Sequence, residues 1–470
     1  MLEKEERVMM QDADEIKRNA ESIPEMKLAA AVRSGVTMGR RREMRRVYKY
    51  GAVAAAAAAA AIILFSTVGL PLRDIEEKTI QTSSENSVTD FESYRPIGQR
   101  DSGFAAAMEQ GLLKPIKQGV EKNGYRVDVA GAVSDGRKAF IMFSVQNHTK
   151  HVSSPVVDSL YLGDVEAPSA KAAAINVRNS SGIMPGETAY YVYATNLVPS
   201  VKYGKDAKIS FKVWDTKSQV YQKGLDISFP LDADAFKETE RIYHPEEALM
   251  VAGQKINVRQ VQFTALNTYV DLEYDQANDK QIFKVISPVM IGTDGEHIEK
   301  LYYPQSVLDD NTRVTLVYKK SRLDQMDQTS LKIFGIAAVN KEQLKVVVDL
   351  KERKIVSAPD AKLQILPEKE DQNELYFYRL YEKAQAGEGF GMWLAPTYTD
   401  ANGEKHDRKS PQNVSHGGTT YSSRDHTMED ETTYNFGDGA SQLPQPLTIE
   451  VKQYWMPIME TQSVELASKS

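Results

Sequence analysis

The stretch YRVDVAGAVSDGRKAFIMFSVQ, residues 125–146, decides the fold. Its two halves, 125–133 and 139–146, are rich in β-branched and aromatic residues and read as strands. Between them Ser134-Asp135-Gly136-Arg137 has the composition of a hairpin turn, because an Asp-Gly pair accepts the positive φ that tight turns require. Two antiparallel strands joined this closely predict a mainly β protein for the long C-terminal part.

The pattern continues downstream. Residues 190–195, 209–214 and 225–229 read as further strands, and a second run begins at 255–263 and 269–274, followed by 283–291, 313–318, 331–338 and 346–350. The second run repeats the layout of the first: a strand pair, a strand before a Gly/Asp turn, then YYVYAT in one and TLVYKK in the other. Residues 374–381, 391–398 and 447–454 suggest a third β unit. Short strands at this spacing predict tandem β-sandwiches of immunoglobulin-like type, over 101–235, 236–355 and 356–470. Upstream, Phe104, Met108 and Leu112 recur every fourth residue before Pro115, which predicts a short helix over 101–114. Residues 73–100 are polar and lack sustained periodicity, so they read as a flexible tether.

Residues 51–72 (GAVAAAAAAAAIILFSTVGLPL) carry no charge, and 22 residues of helix span about 33 Å, enough for a hydrocarbon core of about 30 Å. Arg40, Arg41, Arg42, Arg45, Arg46 and Lys49 precede this stretch, with no such excess after it, which predicts a single-pass transmembrane helix with the N-terminus in the cytoplasm. These basic residues set orientation and meet membrane lipid. A cleaved secretory signal has a shorter basic region, whereas here 50 residues come first. The first 50 residues hold 12 Lys/Arg against 9 Asp/Glu, so the other 46 against 56 leave a net −10 exterior that repels nucleic acid. Composition is otherwise ordinary for folded domains at 41% hydrophobic and 26% charged, and without cysteine no disulfide is available.

The N-terminal 50 residues have two parts, a near-neutral one to Gly35 and a basic one after it. Ser22-Ile23-Pro24-Glu25 has capping-box form and opens a helix of about three turns. A helix so short cannot hold itself together, which points to a docking peptide that folds on a partner. Ile23, Met26, Leu28 and Val32 are its candidate partner-binding residues.

A search for chemistry yields little. His406, His416 and His426 stand ten apart in a polar loop with Asp407 and Asp425, a spacing that matches no metal-ligand pattern. His148 and His151 lie at a strand end. Gly387, Gly389 and Gly391 lack the strand-to-helix context of a dinucleotide loop. Asp309-Asp310 and Glu429-Asp430-Glu431 read as hydrated loop carboxylates. No catalytic residue, cofactor or metal ligand is predicted, and a non-enzymatic role is expected.

The order of parts is an inner peptide with IPEMKLAAAVRSG, a basic stop, one span, a tether, then FAAAMEQGLLKPIKQGVEKNGYRVDVAGAVSDGRKAFIMFSVQN. In this layout, and in Gln110-Gly111 and Ser134-Asp135-Gly136, residues 20–350 resemble the membrane-bound anti-sigma factors of Bacillus-like Gram-positive bacteria. The resemblance implies that the inner peptide holds an extracytoplasmic-function sigma factor at the membrane. It also implies that an envelope signal frees the factor, often through stepwise proteolysis; the Gly69-Leu70-Pro71 breaker and the polar tether 73–100 predict that a protease cuts there. Residues 356–470 match nothing in that family, and the zinc-type His/Cys motif of another anti-sigma class is absent. The rival expectation is a membrane-anchored surface module that binds cell-wall polymer or protein.

Overall fold

The computed structural model describes residues 80–83, 91–168, 172–177, 182–217, 219–308, 310–366, 373–381, 391–409, 417–422 and 427–468. All lie in the second of two compact units, Thr79–Ser470. The predicted docking peptide (Ile23, Met26, Leu28, Val32), the basic flank (Arg40, Arg41, Arg42, Arg45, Arg46, Lys49) and the apolar stretch 51–72 fall outside the described residues. No helix among the described residues is long and apolar enough to cross a membrane. Those residues are mainly β, arranged as six antiparallel sheets in three sandwich-like pairs.

The first pair contains β1 (Ile80–Ser83), β2 (Lys114–Lys122), β3 (Tyr125–Ser134), β4 (Lys138–Asn147) and β5 (Ser153–Leu162). It continues with β6 (Val165–Glu166), β7 (Ala173–Asn176), β8 (Thr188–Asn196), β9 (Asp206–Asp215) and β10 (Val220–Pro230). The strand orders are β1-β2-β3-β4-β8-β7 and β10-β9-β5-β6. Between these sheets lies a core in which Phe143 of one meets Phe211 of the other, ring centroids 4.8 Å apart.

In β4 the run Ala139–Phe140–Ile141–Met142–Phe143 is buried without alternation. The sheet is covered on both sides, and a strand in that position needs apolar residues on both faces. Its second face carries Val133, Phe140, Met142, Val192 and Ala194, packed against Tyr94, Ile97, Phe104, Ala107 and Leu113. Each such large side chain contributes about 1.5–3 kcal/mol when fully buried.

Apart from Leu113, which lies just before β2, the covering residues come from a 3-10 helix, Phe91–Gln99, and helix α1, Ser102–Glu109. This corrects the reading of 73–100 as an unbroken tether. Phe91, Tyr94 and Ile97 recur every third residue, the period at which a 3-10 helix stacks side chains on one face, and β1 adds a strand to the sheet edge. Helix α1 starts where Asp101 accepts the amides of Gly103 and Phe104. It ends short of the predicted Lys114, at Gly111, whose φ of +64° closes a Schellman pair: Leu112 N–H to Ala107 O and Gly111 N–H to Met108 O.

The second pair contains β11 (Arg241–Tyr243), β12 (Ala248–Val251), β13 (Gln254–Phe263), β14 (Asn267–Tyr274) and β15 (Lys280–Ile286). It adds β16 (Val289–Asp294), β17 (His297–Leu301), β18 (Gln305–Leu308), β19 (Arg313–Lys319) and β20 (Gln328–Asn340). One sheet runs β11-β13-β14-β19-β18, the counterpart of β2-β3-β4-β8-β7. In the other, β15 and β16 pair with successive halves of β20, as two pieces of one strand in the place of β5. The place of β10 is taken by β30 (Pro457–Ser468), the last strand of the chain, which pairs with β20 from Gln328↔Ser468 to Ala337↔Pro457.

Between β20 and β30 the chain makes the third pair, an insertion into the second. Its strands are β21 (Lys345–Asp349), β22 (Lys354–Ser357), β23 (Leu363–Leu366), β24 (Glu374–Tyr381) and β25 (Trp393–Thr399). They are joined by β26 (Lys405–Asp407), β27 (Gly417–Ser422), β28 (Thr427–Asn435) and β29 (Leu447–Gln453). The orders are β22-β21-β29-β25-β26 and β23-β24-β28-β27. A division at residue 355 therefore differs from the path of the chain: 345–357 pair within the third module, while 457–468 return to the second. Strand periodicity cannot reveal which sheet a strand joins.

Candidate functional site

The first and second modules meet at the Ser134–Arg137 turn, and the richest polar network among the described residues is there. Asp135, completely buried, accepts the backbone N–H of Arg137 (3.0 Å) and Lys138 (2.8 Å). It also accepts the hydroxyls of Thr264 (2.5 Å) and Tyr269 (3.0 Å), from the β13–β14 turn and β14 of the second module. Burial pushes its carboxyl above the usual carboxylate range, and these donors oppose that rise.

Arg137 reaches across the seam. Its Nη1 donates to Asp271 (3.0 Å) and Gln262 (3.1 Å), and its Nη2 donates to Asp271 (2.8 Å) and Thr315 (3.4 Å). The guanidinium also stands 4.7 Å from the centroid of the Tyr269 ring. Burial alone would raise the Asp271 carboxyl, but hydrogen bonds from Arg137, Thr315 and Gln260 outweigh it and hold the group below its usual range. A two-pronged Arg–carboxylate pair fixes orientation as well as distance.

Helix α1 completes the seam. Lys138 donates to Asp101, the α1 cap, at 2.5 Å, and Lys320 of the second module donates to Gln110 at 2.5 Å. Leu266 inserts from the β13–β14 turn into the cluster of Phe104 and Phe140. At Gly103 a Cβ would lie 2.4 Å from Asn267 Nδ2, so the helix approaches the second module closely because that residue has no side chain.

Beside the network opens a cleft of about 530 Å³. Pro168, Val198 and Pro199 of the first module form one wall, and Val307 and Val317 of the second another. Arg137, Arg259 and Arg313 face Asp271 and Glu273 along its polar side, with Arg259 Nε 3.1 Å from Glu273. Apolar walls with both guanidinium and carboxylate groups can hold an amphipathic ligand by shape and paired hydrogen bonds.

Two other clusters were visible in the sequence only in part. His406 lies 3.2 Å from Asp400, and with Glu404 their ligand atoms lie within 4.8 Å of one another. Asp400 Oδ1 already accepts the amides of Asn402 and Glu404, so these groups close the β25–β26 turn. Asp407 is exposed in β26, while His416, Asp425 and His426 lie outside the described residues. His148 approaches Glu121 at 3.4 Å. Gly387, Gly389 and Asp309 are likewise outside the described residues; Asp310 caps its own turn through Thr312 and Arg313.

Glu429-Asp430-Glu431 sits in β28, which corrects its reading as a hydrated loop. Asp430 faces inward and accepts Tyr381 (2.8 Å) and Thr419 (2.7 Å). Next to it Arg379, 1% exposed, lies between the Tyr381 and Tyr454 rings and pairs with Asp360. Tyr381 and Trp455 pack there against Ile286 and Ala337 of the second module.

No protein-family profile matches the chain, and no curated protein matches it. Among solved structures it is similar to a conserved domain protein from Bacillus anthracis. That match has 13% identity over 52% of this chain and 84% of the other, at a TM-score of 0.36. A hypothetical protein from Parabacteroides merdae matches at 8% identity over 73% and 98%, with a TM-score of 0.13.

Proposed function

We propose that the chain is an anti-sigma factor anchored by residues 51–72, with residues 1–50 in the cytoplasm and the β modules outside. The observation that carries the reading is where the resembling segments lie. Gln110-Gly111 and Ser134-Asp135-Gly136, which carry the resemblance, both belong to the seam, through Gln110 with Lys320 and through Asp135 with Thr264 and Tyr269. The likeness thus falls on groups with a shared structural task. In this reading Ile23, Met26, Leu28 and Val32 grip an extracytoplasmic-function sigma factor, and Arg40, Arg41, Arg42, Arg45, Arg46 and Lys49 hold the chain against anionic lipid. The exterior modules, of immunoglobulin-like build, receive the envelope signal. Facing antiparallel sheets with crossings at β4–β5 and β8–β9 support that finer description.

Co-purification of the full chain with a sigma factor encoded beside it, lost on deletion of residues 1–35, is the expected result. Absence of binding to any sigma factor of the same cell would sink the reading.

The cleft favours a second reading, a surface-anchored module that binds wall polymer or protein. On that reading, deleting residues 1–35 leaves target-gene expression unchanged while surface binding persists.

A further inference from the structure

The cleft beside the seam lies on the outer face of the sheet β13-β14-β19-β18. Alternation along β14 puts Asp271 and Glu273 on that face, beside their register partners Thr315 and Arg313 of β19. On β13 the register slips between Val258 and Gln260, and this bulge turns Arg259 as well as its neighbour Gln260 to the cleft. Each guanidinium there already has a carboxylate: Arg137 with Asp271, Arg259 with Glu273 and Arg313 with Asp310. The charges cancel in pairs, so an ionic ligand would have to displace a partner. Neutral polar groups, Asn196, Ser200, Gln260 and Thr315, stand among them.

Tyr303 lies two residues before Gln305, whose register partner Val317 lines the cleft. Two residues span at most about 7 Å, which places Tyr303 near the cleft's rim. It is 96% exposed, with its ring centroid 6.1 Å from that of Tyr302, and its φ is +55°. A bulky residue at positive φ is strained, and more so before a proline, here Pro304. The ring buries almost no surface to offset that strain, and strain of this kind gathers at ligand sites.

We propose that the cleft and Tyr303 together bind an uncharged oligosaccharide. A hydroxyl both donates and accepts, so one sugar hydroxyl answers both halves of an ion pair, giving its proton to Glu273 while accepting from Arg259. A trans peptide group does not, because its N–H and C=O point opposite ways. The C–H faces of sugar rings are apolar and fit against Val198, Pro199 and Val307, and on the flat exposed ring of Tyr303. A cleft of about 530 Å³ suits a short oligosaccharide. This inference rests on the surface-module reading of the cleft and narrows its ligand from wall polymer or protein to a neutral glycan.

The full-length protein in a sugar-free detergent is titrated with maltotetraose, cellotetraose, chitotetraose and mannotetraose. Poly(glycerol phosphate) and a tetrapeptide mixture are titrated in parallel, and saturation-transfer NMR of each ligand reads binding. At least one tetrasaccharide is expected to bind, with an affinity that high salt leaves unchanged because the ligand carries no charge. Glu273→Gln keeps the shape and removes the charged acceptor, and it is expected to weaken binding about tenfold. Tyr303→Gly relieves the positive φ and removes the ring. It is expected to raise the urea midpoint while weakening binding several-fold, a gain in stability with a loss of binding that a structural role would not give. Binding by none of the four saccharides, binding of the polyphosphate or the peptides in their place, or an affinity unchanged in either variant overturns the proposal. Retention of the chain by isolated cell walls without saccharide binding refutes this inference alone. Saccharide binding by a chain whose deletion of residues 1–35 changes target-gene expression refutes the surface-module reading alone.

Discussion

Replacing Arg137 by Met tests whether the seam is held by its ion pair. Met keeps the length of the stem and removes the guanidinium, leaving Asp271 without two of its donors. Stripping one partner from a buried pair costs about 3–5 kcal/mol. Here the Asp271 side chain keeps 20% of its exposure and the donors Thr315 and Gln260, so the low end, about 3 kcal/mol, applies. That is about a hundredfold in the folded-to-unfolded ratio. Equilibrium urea denaturation followed by tryptophan fluorescence reads it, with Trp214 in β9 reporting the first module. In a double-mutant cycle, Arg137→Met combined with Asp271→Leu should cost far less than the two single changes summed, because neither charge is then stranded. A loss under about 0.5 kcal/mol for Arg137→Met, or strict additivity in the cycle, refutes the reasoning.

The two seam carboxylates predict opposite pH responses. Asp271, lowered in the fold, contributes stability that is present above the ordinary carboxylate range and is lost as pH falls through its folded pKa. Asp135, raised in the fold, contributes stability that is full below its unfolded pKa and is lost as pH rises through its folded pKa. Urea midpoints across pH 3–7 should show the second trend flattened in Asp135→Asn, and an unchanged profile would count against it. Gly103→Ala should destabilise by about 1–3 kcal/mol because the methyl meets buried Asn267, whereas the same change in an open helix stabilises. A raised melting temperature contradicts that close approach. A chain ending at residue 456 lacks β30 and leaves the β20 edge and the core near Val464 and Leu466 open. It should lose protease resistance in the second module, restored by a peptide of residues 457–468; resistance equal to the full chain would refute the insertion topology.

Much of the local structure was legible because it is written in local chemistry. The Asp-Gly turn and the strands beside it follow from turn residues and β-branched runs. So does the shared layout of the first two modules, since each reads as the same succession of strands and turns. What misled was a change of period: Phe91, Tyr94 and Ile97 repeat every third residue, invisible to a search for periods of two or 3.6. The role of Arg137 was hidden for a different reason, since Asp271 lies 134 residues away and nothing in either neighbourhood marks the other.

By itself, the sequence determined the β character, the hairpin at residues 125–146 and the apolar, arginine-flanked segment before them. Only the tertiary structure decided that the last strand closes the second module around an inserted third, and that β1 lies on an edge. It also decided that Ser134–Arg137 joins two modules. The physical reason is one of range: turn and strand preferences act between neighbours, whereas sheet order, a buried carboxylate's donors and an ion pair across a seam depend on groups that only folding brings together.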